Sequence, residues 1–438
     1  MNKRLLIISP HFPPINAPDH QRIRTALPYF QEFSWEVSVL STNPDFIEGI
    51  KDPNLIKTIP NNIDLIKCNA ISPRLSRKLK LGDLGIRSIP FFIKSTTKYF
   101  KEGYFDLVYF SNTVFLTMTL GRYWWDRYKV PYVLDFQDPW LSNYYEQNQV
   151  PLPGGKLKYT ISRSLAKILE PYTLKKVSHV TSVSPDYSET LMKRYHWLKP
   201  EQFTVLPFGA PEYDFEILPQ FNIQQNIFNP TDGNIHWVYV GRAAEDMFFT
   251  LKSLFSAIQQ HRKLNPQQWQ KIKIHFIGTK YSIFDNTKEI EEIAKTFGLE
   301  NIVFQYPQRI PYFEALQVLK DSHGILILGS DDSSYSPSKI YPCVLARKPI
   351  LGILHQASLA TKVLKECQAG RVVQFNHHSD VSRLDQTLIQ EIEWLIESSH
   401  DHWCPETNFQ AFDQYTAKQM TKNLCDIFNQ LMSSNSVT

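Results

Sequence analysis

The stretch Gly324-Ile-Leu-Ile-Leu-Gly-Ser-Asp-Asp-Ser-Ser-Tyr-Ser-Pro-Ser-Lys-Ile-Tyr-Pro342 predicts three consecutive elements of an α/β fold. Its first five residues are apolar or glycine and indicate a short buried strand. The run of serine and aspartate that follows indicates a turn, and Pro337 suits the first turn of a helix. A second apolar run at residues 349–353 predicts the next strand, so the segment reads as a strand-helix-strand unit of a parallel sheet.

Two serines and a lysine make the start of the predicted helix a candidate anion site. The first N–H groups of a helix lack partners within it, and the helix dipole places partial positive charge there. Ser336 and Ser338 add hydroxyl groups, and Lys339 adds a full positive charge. A phosphate or diphosphate suits such a site. The residues alone leave a second interpretation equally open, in which the serines only cap the helix and Lys339 is solvated.

Composition limits the classes of function. A chain of 438 residues, 42% of them hydrophobic, is long enough for two α/β domains with separate cores. The formal net charge of +4 is too small to indicate a nucleic-acid partner. The five cysteines are scattered and form no CxxC pair, which argues against a disulfide framework or a zinc site and favours a reducing cytoplasm.

The sequence also bears on membranes and metals. No apolar run approaches the roughly 18–20 residues that a membrane-spanning helix needs. The four apolar residues after Lys3-Arg4 are too few for a signal peptide and suit a first strand. We therefore expect a cytoplasmic protein, or one peripheral to the inner face of the membrane. No HExxH or Asp-x-Asp pattern suggests a metal site, and none is expected.

Apolar runs alternate with amphipathic stretches, which predicts parallel βα units. The candidate strands are residues 4–9, 36–40, 64–68, 107–110, 132–136, 179–183, 203–206, 236–240, 273–277, 302–304, 324–328, 349–353 and 371–374. The candidate helices are residues 19–33, 89–101, 114–128, 156–176, 185–195, 248–263, 285–297, 312–321, 338–346, 359–366, 384–398 and 409–432.

The alternation pauses between residues 211 and 235, where Pro, Asn, Gln and Asp are frequent, and this pause predicts a domain boundary near residue 215. The predicted fold class is α/β, with two facing, Rossmann-like, doubly wound parallel-sheet domains and a C-terminal helical tail. The predicted parts are residues 1–215, residues 216–400 and a tail of residues 401–438. Packing of that tail back on the first domain is one arrangement we consider.

The segment around Lys339 resembles the nucleotide-sugar site of GT-B-fold glycosyltransferases, especially the large family of retaining, metal-independent enzymes. Those enzymes commonly carry Pro-Ser-Lys-hydrophobic-aromatic-Glu, a short helix ending in Gly-x-Pro, and a hydrophobic strand. Pro342 replaces the glutamate that usually holds the donor ribose, and Arg347 replaces the usual glycine. The resemblance implies that Ser336, Ser338, Lys339 and Tyr341 bind the donor. The matching positions are Pro337, Ser338, Lys339, Ile340, Tyr341, Lys348 and Pro349.

The loop after the first predicted strand begins with Pro10-His-Phe-Pro-Pro14. GT-B transferases often have aromatic-Pro-Pro here, then a glycine-rich loop and an arginine on the first helix, although this chain lacks the paired glycines. The resemblance implies that four polar residues line the acceptor side. For single residues there is an alternative interpretation, in which Asp19 caps the helix and Arg22 is a solvated residue of its first turn. The four residues are Asn16, Asp19, His20 and Arg22.

A second loop, Leu134-Asp-Phe-Gln-Asp-Pro-Trp140, leaves the fifth predicted strand and also resembles an element of many GT-B transferases. We expect Asp138 to lie nearest the acceptor hydroxyl, as an orienting group or base, with Trp140 on the same side. Either aspartate could instead cap the loop or pair with a basic side chain. For Asp135, which is nearer the core, we favour that interpretation.

A third loop begins with Val240-Gly241-Arg242, where the family has Gly-Arg and, a few residues later, a lysine. Gly241 lets the backbone approach phosphates, and Arg242 can hold two of their oxygens. Met247 stands near the position of the later lysine, so we expect Lys339 to supply the second cation. The alternative for Arg242 is an ordinary surface arginine.

The resemblance implies a glycosyltransferase that moves a sugar from a nucleoside-diphosphate sugar to an acceptor hydroxyl, in bacterial-type glycan, polysaccharide or glycolipid biosynthesis. The expected catalytic residues are Asp138, Arg242 and Lys339. The second domain would bind the donor and the first a glycan or lipid-linked acceptor, with no cofactor beyond the nucleotide sugar as co-substrate. Two alternatives stay open. One is a catalytically degenerate GT-B binding or scaffold protein, and the other is a nucleotide-sugar epimerase or hydrolase on the same fold.

Two basic segments, residues 73–80 and 156–176, bear on location. The second mixes lysines with Leu, Ile and Tyr at helical intervals. Peripheral contact with an anionic membrane is one interpretation, because lipid-linked acceptors are commonly met in this half of such enzymes. A solvated basic face is the other, and it is the more frequent explanation of a charge run.

Overall fold

The computed structural model describes residues 3–78, 82–142, 155–280, 285–330, 338–377, 381–400 and 403–435. The chain divides into two compact units. Unit 1 is Met1–Gly209 together with Ala417–Thr438, and unit 2 is Ala210–Thr416. The division therefore lies a few residues before the expected boundary at residue 215. The last helix belongs to unit 1, although it follows unit 2 in the chain.

Unit 1 is built on a seven-stranded sheet in which neighbouring strands are parallel. The strands lie in the order β3-β2-β1-β4-β5-β6-β7, so the sheet grows from β1 to one side and then restarts at β4 on the other. They are β1 (Lys3–Ile8), β2 (Trp35–Thr42), β3 (Asp64–Cys68), β4 (Leu107–Ser111), β5 (Tyr132–Phe136), β6 (His179–Ser182) and β7 (Phe203–Val205).

Helices bury both faces of this sheet, which explains why its central strands β1, β4 and β5 are mostly apolar. In β1, Leu5 and Ile7 pack on one face and Leu6 and Ile8 on the other, following the two-residue repeat of a strand. The first face is covered by α1 (Gln21–Ala26) and α15 (Ala417–Asn435), and the second by α3 (Leu84–Lys101), α4 (Thr119–Tyr128) and α5 (Lys156–Leu174). Unit 1 also contains α2 (Pro73–Lys78) and α6 (Pro185–Arg194).

Unit 2 repeats the design with a six-stranded parallel sheet in the order β10-β9-β8-β11-β12-β13. Its strands are β8 (Ile235–Val240), β9 (Ile272–Ile277), β10 (Val303–Tyr306), β11 (Gly324–Leu328), β12 (Ile350–His355) and β13 (Arg371–Phe375). Its helices include α7 (Glu212–Ile217), α8 (Phe248–Leu264), α9 (Glu289–Thr296), α10 (Tyr312–Asp321), α11 (Ile340–Leu345), α12 (Leu359–Glu366), α13 (Val381–Ser398) and α14 (Phe409–Phe412).

Each sheet has one point at which the direction of growth reverses. In unit 1 it lies between β1 and β4, and in unit 2 between β8 and β11. The loops that leave the carboxyl ends of two such strands run in opposite directions, and the crevice between them is where open α/β sheets bind ligands. The topology thus directs attention to the loops after β1, β4, β8 and β11.

The predicted fold class is confirmed, with two parallel α/β sheets and a helical tail, and every predicted strand is present within a few residues of its expected bounds. One predicted helix, residues 19–33, is wrong in extent. The α-helix ends at Ala26, because Pro28 cannot donate the next backbone hydrogen bond and restricts Leu27 before it. No helix within the described residues is both long and apolar enough to cross a membrane.

Two further helix predictions and the predicted connection between the domains need correction. The helix expected at residues 409–432 is interrupted between Asp413 and Thr416, where the chain passes from unit 2 to unit 1. The supposedly irregular connection at residues 211–235 contains α7, whose Asp214 carboxylate accepts a hydrogen bond of 2.7 Å from the Tyr312 hydroxyl. The helix expected from Ser338 begins at Ile340, and Pro337 lies outside the described residues.

Candidate functional site

Gly241 turns the chain away from the sheet directly after β8. Its φ is +130°, a conformation that residues with a side chain rarely adopt. A Cβ atom at this position would lie 3.3 Å from Cδ of Lys339 and 3.6 Å from its Nζ. The lysine that follows β11 therefore lies against the backbone at the end of β8, at the reversal point of the second sheet.

Tyr239 joins these two loops. The ammonium of Lys339 lies 3.8 Å from the centre of the Tyr239 ring and donates a hydrogen bond to its hydroxyl. That hydroxyl in turn donates to the Arg242 carbonyl at 2.5 Å. Burial lowers the pKa of Lys339 to about 7, and the nearby charge of Arg242 acts in the same direction. The site thus holds a lysine that a negatively charged ligand would help to protonate.

Arg242 is oriented by a carboxylate from its own loop. Its Nη1 and Nη2 donate to Oδ1 and Oδ2 of Asp246 at 2.7 and 2.8 Å. Both side chains are about one-quarter exposed, at 24% and 25%. Burial alone would raise the pKa of Asp246, but the hydrogen bonds and charge of Arg242 bring it below its usual range. The Arg242 guanidinium was expected to hold two phosphate oxygens. In the structure it donates two hydrogen bonds to the Asp246 carboxylate instead.

The three other residues expected around the donor differ in their surroundings. Ser338 is exposed in the turn before α11. Ser336 lies outside the described residues. Tyr341 is only 2% exposed, and its ring packs against Phe412 and Tyr415 in the interior of unit 2. Its assignment to the donor site is therefore corrected, because a side chain enclosed in the core cannot contact a ligand at the sheet edge.

At the edge of unit 1, His11, which was not among the predicted site residues, pairs with Asp19 at the reversal point between β1 and β4. His11 Nδ1 lies 2.9 Å from Oδ2 of Asp19, and the same oxygen accepts from the Thr113 hydroxyl at 3.2 Å. Burial alone would raise the pKa of Asp19, but the hydrogen bond and charge of His11 hold it below its usual range. The alternative interpretation of Asp19 as a helix cap is wrong, since its carboxylate joins the loops after β1 and β4.

Asp138 is the exposed carboxylate of this edge, just after β5. The dense protein around its carboxyl group and the negative charge of Asp19 raise its pKa. Within the described ranges, no hydrogen bond or ion pair involves this carboxylate. Trp140 follows it, half-buried, with its ring stacked on Phe115 at 5.6 Å and an interplanar angle of 12°. This arrangement leaves the Asp138 carboxylate accessible.

Arg22 does not line the acceptor side, nor is it the solvated residue of the alternative interpretation. It is 1% exposed, and its Nε lies 2.8 Å from Oδ2 of Asp135, which is itself fully buried. Its Nη2 donates to the Leu206 carbonyl at 2.8 Å, and its Nη1 to that of Pro207 at 3.1 Å. The interpretation of Asp135 as the partner of a basic side chain is confirmed.

His20 is corrected for the same reason. It is fully buried, and its Nε2 lies 2.7 Å from the Ile15 carbonyl. Burial, assisted by the charge of Arg24, lowers its pKa to about 4, so the ring is neutral. Asn16 is half-buried, and its backbone N–H donates to the Ile50 carbonyl at 2.8 Å. Of the four residues expected in this loop, only Asp19 takes part in the polar cluster with His11.

In the part of the chain that the structure describes, no three His, Cys, Asp or Glu side chains lie close enough together to hold a metal ion. The groups suited to a negatively charged ligand are the two cations at the edge of unit 2. The groups suited to proton transfer are His11 and Asp138 at the edge of unit 1.

No protein-family model matches the chain, and no curated protein sequence matches it. Sucrose-phosphate synthase from Thermosynechococcus elongatus is similar in structure, with a TM-score of 0.58 at 13% identity over 99% of this chain and 100% of that one. HepE from Anabaena, solved with UDP and glucose, has a TM-score of 0.56 at 14% identity over 98% and 100%. UDP-GlcNAc 2-epimerase from Neisseria meningitidis, bound to UDP-GlcNAc, has a TM-score of 0.50 at 12% identity over 98% and 100%.

At such low identity these likenesses concern the fold, and they extend over almost the full length of each chain. A match over 98–99% of this chain includes residues of both units. The chain therefore has the GT-B fold of the glycosyltransferases that its sequence resembles.

Proposed function

We propose that the protein is a glycosyltransferase that moves a sugar from a nucleoside-diphosphate sugar to an acceptor hydroxyl. The observation that carries this proposal is the position of the Lys339 ammonium against Gly241 at the reversal point of the second sheet. A ligand in that crevice meets a glycine backbone, a lysine and an arginine together, and a diphosphate satisfies all three. The UDP and UDP-sugar complexes of HepE and the epimerase support this ligand class.

Lys339 and Arg242 would stabilise the negative charge of the donor diphosphate. A charge-assisted hydrogen bond contributes ~1.5–3 kcal/mol, so Lys339 and Arg242 together would supply much of the donor affinity. Negative charge grows on the diphosphate as the glycosidic bond breaks, and fixed cations stabilise that charge without rearranging. Asp246 holds the guanidinium in place beforehand. We propose that this pair of cations makes a divalent metal unnecessary.

The acceptor would use the edge of unit 1. Asp138 is exposed and has a raised pKa, which suits a group that receives a proton from a sugar hydroxyl. His11 is the second candidate, because the buried Asp19 fixes its ring through Nδ1 and leaves Nε2 as the nitrogen for proton transfer. We propose a glycan or lipid-linked acceptor, a hexosyl donor and a place in bacterial-type polysaccharide or glycolipid synthesis, as the sequence resemblance implies.

The test is turnover of a panel of nucleotide sugars (UDP-, GDP-, ADP- and dTDP-linked) by the purified protein in EDTA. Slow release of free nucleoside diphosphate, accelerated by an added acceptor, supports the proposal. A new nucleotide-sugar species would indicate an epimerase instead, and failure of every nucleotide sugar to bind would indicate a binding or scaffold protein. Lys339→Ala is expected to abolish the release.

Lys280→Ala is the matched control for that variant. Lys280 also follows a strand of unit 2, but its ammonium is held by Glu289 at 2.6 Å. Loss of this cation is expected to leave nucleotide release unchanged. Equal losses in both variants would show that overall charge, and not the crevice beside Gly241, controls the reaction.

A further inference from the structure

Helix α5 directs large apolar side chains into solvent. Leu157, Ile161 and Ile168 are 76%, 59% and 68% exposed. Their spacing of four and seven residues places them on one face of the helix. Tyr172, 42% exposed, continues the same face four residues later. The buried residues of the helix lie on other faces and are mostly small or polar: Ala166, Glu170, Thr173 and Leu174.

A buried polar network fixes this unusual orientation. The Glu170 carboxylate accepts hydrogen bonds from Arg194 Nη1 at 2.5 Å, the Tyr195 hydroxyl at 2.8 Å and the Leu141 N–H at 3.1 Å. Rotation of the helix to bury Ile161 and Ile168 would separate Glu170 from Arg194. A buried charge that loses its partner destabilises the fold. The apolar face therefore stays exposed because the opposite face is already bound.

Cations border the apolar face along both sides. A helix turns about 100° per residue, which places Lys158 on one side of the face and Lys156 and Lys167 on the other, and Lys176 follows shortly after the end of the helix. All four are exposed, and the one acidic residue of the helix, Glu170, is buried and paired. The surface is thus apolar in its middle and positive at its edges.

Aromatic residues extend this surface at the C-terminal end of the helix. The ammonium of Lys175 lies 4.6 Å from the ring centre of Trp197, which is 41% exposed. The ammonium of Lys176 lies 4.8 Å from the ring centre of Trp125. Tryptophan beside lysine is the composition found where proteins meet the headgroup region of a bilayer.

We propose that this face of α5 docks on an anionic lipid surface. Apolar side chains would enter the acyl boundary while the flanking lysines meet lipid phosphates, and this combination fits a membrane better than a soluble anion. The site is also linked to the acceptor edge, since Arg163 of α5 donates to the Ser142 carbonyl at 2.6 Å, shortly after Trp140 in the chain. The inference goes beyond the proposed transferase activity, because it uses none of the residues assigned to the donor or the acceptor.

Vesicle flotation tests the proposal. We expect the wild-type protein to float with vesicles of phosphatidylcholine containing about 30% phosphatidylglycerol, but not with phosphatidylcholine alone, and to be released by roughly 0.5 M salt. Leu157→Ser/Ile161→Ser/Ile168→Ser is expected to weaken binding more than about tenfold. Lys158→Gln/Lys176→Gln should weaken it by roughly fivefold per lysine.

Leu264→Ser is the matched control, because Leu264 is 75% exposed on α8 of unit 2. It should bind vesicles like the wild type, and an unchanged melting temperature in every variant shows that the surface substitutions leave the fold intact. Absence of wild-type flotation would overturn the proposal, as would equal flotation of the triple serine variant. Equal binding to neutral vesicles would also overturn it. A wild-type dimer that the triple variant converts to monomer, without vesicle binding, would assign the face to a second copy of the chain.

Discussion

The ammonium of Lys339 lies 3.8 Å from the centre of the Tyr239 ring, although Tyr239 lies in β8 and Lys339 immediately precedes α11. Tyr239 belongs to β8 and Lys339 follows β11, the two strands between which the sheet reverses. Burial of the lysine, together with the charge of the neighbouring Arg242, lowers its pKa to about 7. The same surroundings favour binding of a negatively charged ligand, because its charge would stabilise the protonated lysine.

Nucleotide binding should take up a proton at Lys339. Its pKa is about 7 in the ligand-free protein, and a bound diphosphate raises that value because it favours the charged form. Affinity should therefore fall as pH rises above 7, by up to about tenfold per pH unit until the pKa of the complex is passed. Calorimetry at pH 7.5 in two buffers of different ionisation enthalpy measures the uptake.

Lys339→Arg separates charge from titration in this experiment. Arginine stays protonated throughout the range, so the variant should bind without proton uptake above pH 7. Identical buffer dependence in the wild type and this variant would assign the proton to another group.

Gly241→Ala should damage both stability and nucleotide binding. A φ of +130° is strained for alanine, and the new Cβ would lie 3.3 Å from Cδ of Lys339. We expect a loss of ~1–3 kcal/mol in the free energy of unfolding, measured in urea, and weaker binding of nucleoside diphosphate. Gly233→Ala is the control, since Gly233 has a φ of +78° and nothing within 4 Å of its Cβ position. It should lose stability but keep its affinity.

The buried pair of Arg22 and Asp135 should be essential to unit 1. Both side chains are fully enclosed with 2.8 Å between Nε and Oδ2, so Asp135→Asn leaves an arginine charge without its partner. We expect a cost of ~3–5 kcal/mol in urea denaturation. Asp126→Asn breaks the exposed pair with Arg122, whose side chains are 40% and 19% exposed, and should cost at most about 0.5 kcal/mol. Similar losses in the two variants would refute the structural role of the buried pair.

Turnover should identify the proton acceptor on the edge of unit 1. Asp138→Asn is expected to lower the transfer rate by about 10²–10⁴-fold while leaving nucleotide affinity near that of the wild type. If His11 is the base, His11→Asn causes this loss instead, and Asp19→Asn causes a part of it by releasing the ring. Wild-type rates in both Asp138→Asn and His11→Asn would remove the acceptor proposal.

Local sequence patterns predicted most of the fold. Runs of Val, Ile and Leu such as β11 have strong strand preference, and doubly buried strands need no long-range information to be recognised. Because Gly241 and Arg242 directly follow such an apolar run, the sequence also predicted that these two donor-side candidates lie at the end of a strand. Helix ends were less predictable, as Pro28 shows, because the amphipathic pattern continues past the residue that stops the helix.

Long-range packing decided the parts that sequence patterns missed. Arg22 was predicted to line the acceptor side, with a solvated position as the alternative, but its partners are Asp135 of β5 and the Leu206 carbonyl after β7. Tyr341 matched a family motif, yet the segment around α14 encloses its ring. His11 could have been found, since it follows the first strand directly and precedes Asp19 on the same loop.

The central claim is that Lys339 and Arg242 bind a diphosphate together. Its most direct test is calorimetric binding of whichever nucleoside diphosphate (UDP, GDP, ADP or CDP) most raises the melting temperature of the wild type. We predict that Lys339→Ala and Arg242→Ala each weaken binding by about 10–150-fold, while Lys280→Ala leaves it unchanged. Wild-type affinity in both crevice variants, or no binding of any of the four nucleotides by the wild type, would contradict the account.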